Sequence, residues 1–406
     1  MEQRRKNLTQ LFIPICLETL LYMLSGMVDT LMLSSVNDQA VGAVGTANTY
    51  IGIFIIMFSV ISSGMVAVMT QNIGAGRPGV AYQARQLGLA FNAVLGVIMS
   101  LFLSLGAGTI LSGVGVADAL MQPAKTYLQI VGGFCILNAL IPICSSYLRA
   151  FGFSKEPLYA SIIGNVINFC LNAFFLFVLH KGVAGVATAT VISRIINLVI
   201  VVLLGAVLVK AKQHPERESN RAVMGQIIRI GLPSACETAI YNVSMTLVIR
   251  FLNQMDAQGL NVTARSYTMQ ITNFSYCVGA ALAQANAIMT GWHIGAKEYD
   301  ACDRGTKKAA VIGVIVAVIL ETVFTLCSGW IMQLFSKDPQ MVSLVGKLLA
   351  IDIVLEIGRV TNLVYGQALK TSGDAVFPVV FNRSGVQKAS YSRFMRRINL
   401  SADIFQ

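Results

Sequence analysis

Ten apolar stretches, each longer than twenty residues, recur along the 406-residue chain, and nothing else constrains its fold as strongly. They run from Thr9 to Leu33, Val44 to Met69, Leu87 to Leu111, Tyr127 to Leu148, Leu158 to Leu179, Val183 to Val209, Ile227 to Phe251, Tyr267 to Met289, Ala309 to Met332, and Leu344 to Leu369. Roughly twenty residues at 1.5 Å each cover the ~30 Å hydrocarbon layer of a bilayer. Inside that layer a chain must satisfy its own backbone, so these stretches are expected as helices. The fold class expected is an all-α polytopic membrane protein.

Composition agrees with this. Charged residues are only 12% of the chain and hydrophobic residues 55%, with a mean hydropathy of +0.68. A soluble domain carries about 25% charge. The first apolar segment directly follows MEQRRKNLTQ and has no small-residue cleavage pattern after it, so it is expected to stay as the first span. The net charge of +11 lies in loops between spans, which is a topology signal, and no nucleic-acid partner is expected. None of the eight cysteines forms a CxxC pair. They read as small packing residues without disulfides, cofactor or structural metal. No nucleophile constellation or phosphate loop points to an enzyme.

Basic residues mark every second loop: Arg4 to Lys6, Arg77 and Arg85, Arg149 and Lys155, Lys210 to Arg221, Lys297 to Lys308, and Lys370 with Arg383. By the positive-inside rule these loops and both termini are expected in the cytoplasm of a cell with the protein in its plasma (inner) membrane.

The chain also repeats itself. Pro14, Glu18, Thr19 and Tyr22 return at the same spacing as Pro233, Glu237, Thr238 and Tyr241. MTQNIGAGR (69–77) is echoed by MTGWHIGAK (289–297), and YLRAFGFSKEP (147–157) by YGQALKTSGD (365–374). All three pairs are about 220 residues apart, as in a parallel repeat about an axis along the membrane normal. Two pseudo-symmetric bundles are therefore expected. Residues 1–209 hold six helices, 210–226 form a cytoplasmic linker, and 227–380 hold four. Residues 381–406 carry Arg383, Lys388, Arg393, Arg396 and Arg397 where two further apolar spans would complete the repeat. This tail is expected to be a basic surface segment or a frameshifted, disordered replacement for those spans.

Polar residues inside spans are costly and read as functional. Asn165, Asn168 and Asn172 recur at three and four residues and share one helix face. Their amides suit a carboxylate or a dehydrated cation, or else join helices. Asp352, Glu356 and Arg359 share another face; Glu356 and Arg359 are expected as an ion pair, which leaves Asp352 and Glu237 as the freer carboxylates. Glu321 reads as a packing or snorkelling residue. Arg194 needs a partner, with Asp29 one candidate. Met65, Met69, Tyr50, Tyr241, Tyr267, Met269, Phe274 and Tyr276 read first as packing, and second as a cavity lining for flat lipophilic cations.

Several runs together resemble the multidrug and toxic compound extrusion (MATE) transporters: Val28-Asp29-Thr30, the IGAGR and IGAK loops, LRAFGFSKEP, GVAGVATATVISR (182–194) and GLPSACE (231–237). The likeness covers residues from about 8 to 380. It implies an antiporter that exports amphipathic, often cationic drugs and toxic compounds by alternating access, coupled to protons or sodium. It further implies a cation-coupling cluster of Asp29, Asn168, Asn172 and Thr190, with Thr188 as the less favoured threonine. Many members carry an aspartate where this chain has Asn172, so Asp29 is the cluster's one carboxylate. Cation or drug binding in the second bundle is implied at Glu237, Asp352 and Glu356. The partners expected are the bilayer and small amphipathic substrates, with the protein a monomer. Two alternatives stand beside this reading: a lipid-linked oligosaccharide flippase of the same superfamily, and a truncated, inactive transporter.

Overall fold

The computed structural model describes residues 6–35, 38–113, 116, 118–209, 215–255, 260–333 and 338–376. All regular structure in them is helical. The contacts divide the chain into two compact units, Met1–Ala235 and Cys236–Gln406. The expected tail from residue 381 lies outside the described residues.

The first unit contains α1 (Leu8–Ser34), α2 (Asp38–Gly74), α3 (Pro78–Gly113), α4 (Asp118–Tyr127), α5 (Ile136–Ala150), α6 (Lys155–Ala173), α7 (Gly182–Leu208) and the start of α8 (Asn220–Met255). The second holds the rest of α8 with α9 (Leu260–Gly295), α10 (Tyr299–Leu326), the one-turn α11 (Ser328–Met332) and α12 (Pro339–Thr371). Seven of the ten expected spans each fall on one long helix among the described residues, whereas the fourth, fifth and ninth each run across more than one helical element. Several elements extend well beyond the apolar stretch: α2 has 37 residues, or roughly 55 Å, against a ~30 Å hydrocarbon layer. Five single helices (α1, α2, α3, α7 and α10) and α6 with its π-helical extension through Val178 are long and apolar enough to cross a membrane. The bent α4–α5 pair makes a seventh. Helices α8, α9 and α12 are as long, with 36, 36 and 33 residues. Their polarity comes from residues such as Glu237, Arg250, Asp352, Glu356 and Arg359.

The fourth span breaks where sequence reasoning shows a continuous run. A π-helical stretch, Leu128–Gly132, leads into a 42° bend before α5. Two glycines make the bend fit. A Cβ on Gly132 would lie 3.0 Å from Leu103 Cβ, and one on Gly96 would lie 2.9 Å from Ile136 Cα. The break is thereby pressed onto α3, and the Ser100 hydroxyl oxygen accepts the freed Ile136 N–H at 3.1 Å.

Packing in the first unit follows membrane logic: small residues inside, large apolar residues outside. Ala43, Ala47, Ala107, Ala124, Ala139 and Ala187 are fully or almost fully buried together, whereas Leu31, Leu105 and Val207 face outward. Met65 and Met69 are fully buried, which makes them packing residues and not a lining. Pro14 lacks the N–H that would bond the Gln10 carbonyl. Ser154 Oγ donates to that carbonyl instead, at 3.0 Å, tying the first span to the start of α6.

The polar segment before α8 is fastened to the first unit. Gln83 Nε2 donates to the Glu218 carbonyl at 2.7 Å, Gln83 Oε1 accepts the Glu218 N–H at 3.1 Å, and Arg77 pairs with the Glu218 carboxylate at 2.6 Å. Further along, α8 crosses α2 backbone against backbone. A Cβ on Gly231 would sit 1.8 Å from the Val60 carbonyl oxygen, and one on Gly64 1.9 Å from that of Ile227.

The repeat read from the sequence is written in the helix ends. After α2, Arg77 N donates to Asn72 O at 2.8 Å and Gly76 N to Ile73 O at 3.1 Å. After α9, Glu298 N donates to His293 O at 2.8 Å and Lys297 N to Ile294 O at 3.0 Å. Likewise Phe153 N donates to Leu148 O after α5, and Asp374 N to Leu369 O after α12. All four stops place a residue in the left-handed region, at Gly76, Gly152, Gly373 and, without a glycine, Lys297 at φ 61°. This is the Schellman pattern.

Candidate functional site

The repeated carboxylates resolve into a matching pair of clasps. Glu18 Oε2 lies 2.5 Å from Arg149 Nη2, and Glu237 Oε2 lies 2.6 Å from Lys370 Nζ. Each joins the first helix of its repeat to the last turn of the fourth. Both pairs are mostly buried, with side chains 10–17% exposed. Glu237 is thus paired with Lys370, where the sequence reading expects it as one of the freer carboxylates.

A second kind of polar centre lies in the first unit. Asn172, on α6, is fully buried and Asn168 nearly so, while Asp29 on α1 is half-buried. Asn172 Nδ2 donates to Asp29 Oδ1 at 2.6 Å and to Asn168 Oδ1 at 3.2 Å. One amide group therefore bridges the two helices. Asn172 Oδ1 has no donor among the described residues. Asn165 Nδ2 reaches the Leu21 carbonyl at 3.5 Å, so the whole asparagine face is turned to α1. Arg194 on α7 lies within electrostatic reach of Asp29 and of Tyr127, whose hydroxyl interacts with Asn48. Thr190 is buried but spends its hydroxyl on the Val186 carbonyl of its own helix at 2.9 Å, and Thr188 does the same with Ala184 at 2.7 Å.

The third centre, in the second unit, was only partly visible in the sequence. Arg359 donates through Nη1 to Glu356 Oε2, the expected ion pair, and through Nη2 to Asp352 Oδ1 at 3.2 Å. Ser275 on α9 donates to Glu356 Oε1 at 3.3 Å. Glu321 on α10, read from sequence as a packing residue, joins this group: it is fully buried, and a carboxylate oxygen from each of Glu321, Asp352 and Glu356 lies within 4.8 Å of the other two. No sequence signal could find it, because its partners are about thirty residues away on another helix. Tyr241 and Tyr276 complete the surroundings, within electrostatic reach of Arg359. Asp352 and Glu356 can therefore serve as hard oxygen ligands, whereas Thr190 offers only the lone pairs of a hydroxyl already donating.

Comparison with known proteins places the chain in a family. The sequence profile of the MatE family matches residues 14–174 and again 233–387, so that each match opens on a repeat proline. The chain is 33% identical over 372 residues to the uncharacterized transporter YisQ of Bacillus subtilis, covering 90% of this chain and 81% of that one. It is 22% identical over 390 residues to a probable multidrug resistance protein, NorM, of Thermotoga maritima, covering 93% and 82%. Among solved structures it superposes on a MATE crystal structure in the bent conformation with a TM-score of 0.83 at 16% identity, covering 92% and 83%. An outward-facing multidrug resistance MATE family transporter of the MOP superfamily gives 0.82 at 17%, covering 92% and 84%. With its helical repeat, its membrane-length spans and its two profile matches, the chain belongs to the MatE family and is a multi-pass membrane transporter.

Proposed function

We propose that this transporter is a cation-coupled antiporter that exports amphipathic, often cationic compounds by alternating access, with Asp29 as the group that takes and releases the coupling ion. The observation that carries the reading is the way Asp29 is held. Its carboxylate accepts a hydrogen bond from a neutral amide, Asn172 Nδ2 at 2.6 Å, and keeps lone pairs for a proton or sodium. Asn168 and the free Asn172 Oδ1 supply further oxygens beside it. Thr190 belongs to the proposed site by its place on α7, near Arg194.

Coupling requires that ion binding favour one bundle arrangement over another, since a ligand with equal affinity for both states shifts nothing. Filling the Asp29 site changes the charge at the α1–α6 junction. The names of relatives such as NorM support multidrug export. A flippase of lipid-linked sugars would need cavity cations for pyrophosphate; Arg359 is already committed to two carboxylates and Arg194 lies beside Asp29. The loop charges support both termini in the cytoplasm, a topology that accessibility labelling of single cysteines in the loops would check. The function is tested by drug efflux from cells carrying the protein or its Asp29→Asn form at equal membrane abundance. Loss of efflux supports the assignment, and unchanged efflux defeats it.

A further inference from the structure

The starts of α1 and α6 enclose a cavity of about 680 Å³, lined by Lys6, Gln10, Ile13, Lys155 and Glu156 among others. That size falls within the ~300–1,000 Å³ of small-molecule sites. Its two walls are tied together, because Ser154 Oγ donates to the Gln10 carbonyl at 3.0 Å. Its level in the bilayer follows from the sequence: Lys6 stands three residues before the apolar stretch that opens at Thr9, and Lys155 three before the one that opens at Leu158. The cavity therefore lies where headgroups meet hydrocarbon, the layer in which lysines keep their ammonium groups while their stems cover apolar surface. Ile13 and Leu17, 48% and 47% exposed and one turn apart on α1, continue the wall into the apolar layer, as does Tyr159, 55% exposed, one turn past Lys155 on α6. The charge of the lining is mixed, with two ammonium groups and one carboxylate. Glu156 Oε2 is shut off from solvent and receives no hydrogen bond among the described residues. A buried carboxylate oxygen without a donor is costly, so a group that brings one to it is favoured.

We infer that this cavity binds the headgroup of a phospholipid that carries a primary ammonium, phosphatidylethanolamine, with the acyl chains running along α1 and α6. Lys6 and Lys155 meet the phosphate through charge-assisted hydrogen bonds. The lipid's ammonium supplies the donor that Glu156 Oε2 lacks. Two other common headgroups fit less well. A choline headgroup carries the positive charge but no N–H, and leaves the Glu156 oxygen without a donor. A phosphatidylglycerol headgroup brings a second anion towards Glu156 with no cation of its own to offset it. The bound lipid bridges the two helices that also carry Asp29 and Asn172, yet the site shares no residue with that centre. The inference therefore rests on neither the Asp29 assignment nor the identity of the exported compound.

The test uses the full chain purified in detergent and stripped of lipid. Phosphatidylethanolamine, its N,N-dimethyl form, phosphatidylcholine and phosphatidylglycerol, all with the same acyl chains, are titrated in separately, and native mass spectrometry reads the lipid retained. The expected result is saturable retention of phosphatidylethanolamine and of the dimethyl form, which still has an N–H, with phosphatidylcholine weaker by about tenfold or more. Glu156→Leu is expected to erase that preference, and Asp29→Asn to leave it unchanged. Lys155→Gln, at an exposed position, serves as the second variant should Glu156→Leu not fold, and is expected to weaken retention of phosphatidylethanolamine. Equal retention of the ethanolamine and choline lipids by the unaltered protein would overturn the inference, as would tighter retention of phosphatidylglycerol. A preference that survives in folded Glu156→Leu, or retention undiminished in Lys155→Gln, would overturn it as well. Soluble phosphoethanolamine is expected not to displace the lipid at equal concentration; displacement would show a site for a free phosphate ester and overturn the assignment to a lipid.

Discussion

The two units treat buried carboxylates in opposite ways. In the first, one aspartate is met by an amide, with asparagines where further acids could stand: Asn172 bonds Asp29, and Asn168 backs Asn172. In the second, three acids crowd round a single arginine, and one of them, Glu321, receives no donor among the described residues. Yet the frames that carry these centres are copies, down to the clasp between the repeat's first and fourth helices and the stops after α2, α5, α9 and α12. The scaffold is thus kept by backbone geometry and a few ion pairs. What differs is the count of charges on the inward faces.

The largest effect expected from probing that difference comes from Arg359. Arg359→Leu leaves three buried carboxylates without their guanidinium, and is expected to destabilise the protein by about 3–5 kcal/mol, seen as a lowered unfolding midpoint in detergent. Adding Glu356→Gln should restore part of the loss, and a strictly additive double variant would show that the pair is not coupled.

The clasps sharpen the comparison from the other side. Glu18→Gln and Glu237→Gln each break a mostly buried ion pair and should each lower stability by roughly 2 kcal/mol. Should Glu237→Gln instead leave stability intact and abolish efflux, the symmetry of the clasps is broken and Glu237 regains the binding role read from the sequence.

A smaller effect is expected where Pro14 interrupts the first span. Ser154→Ala strands the Gln10 carbonyl that Pro14 cannot bond, for about 1 kcal/mol by thermal unfolding. The smallest prediction is a gain: Lys297→Gly relieves a left-handed residue at the stop where the other repeat has Gly76, and should raise stability by up to about 1 kcal/mol, while Gly76→Ala lowers it similarly.

Much of this architecture was legible in the sequence because it is local. Spans show as apolar length, and the stops show as IGAGR and IGAK or LRAFG and LKTSG, where the left-handed residue stands at a fixed offset from the helix end. The asparagine face and the Glu356–Arg359 pair were legible for the same reason, since helical periodicity places them. What the sequence hid depends on helices meeting. Glu18 finds Arg149 across 131 residues, and nothing in either segment announces that the repeated glutamate is a clasp. Glu321 stands alone on an apolar helix, and only the packing of α10 on α12 makes it part of a cluster. The bend in the fourth span was hidden too, because the Gly132–Gly133 step reads as apolar packing until α3 is set against it.

The most direct test of the account is transport by the purified protein in liposomes under an imposed proton or sodium gradient, using a fluorescent lipophilic cation, for the unaltered chain and for Asp29→Asn. The account predicts gradient-driven movement that falls to the protein-free background in Asp29→Asn, with the variant still folded and inserted. Gradient-driven transport of equal rate in both would contradict it.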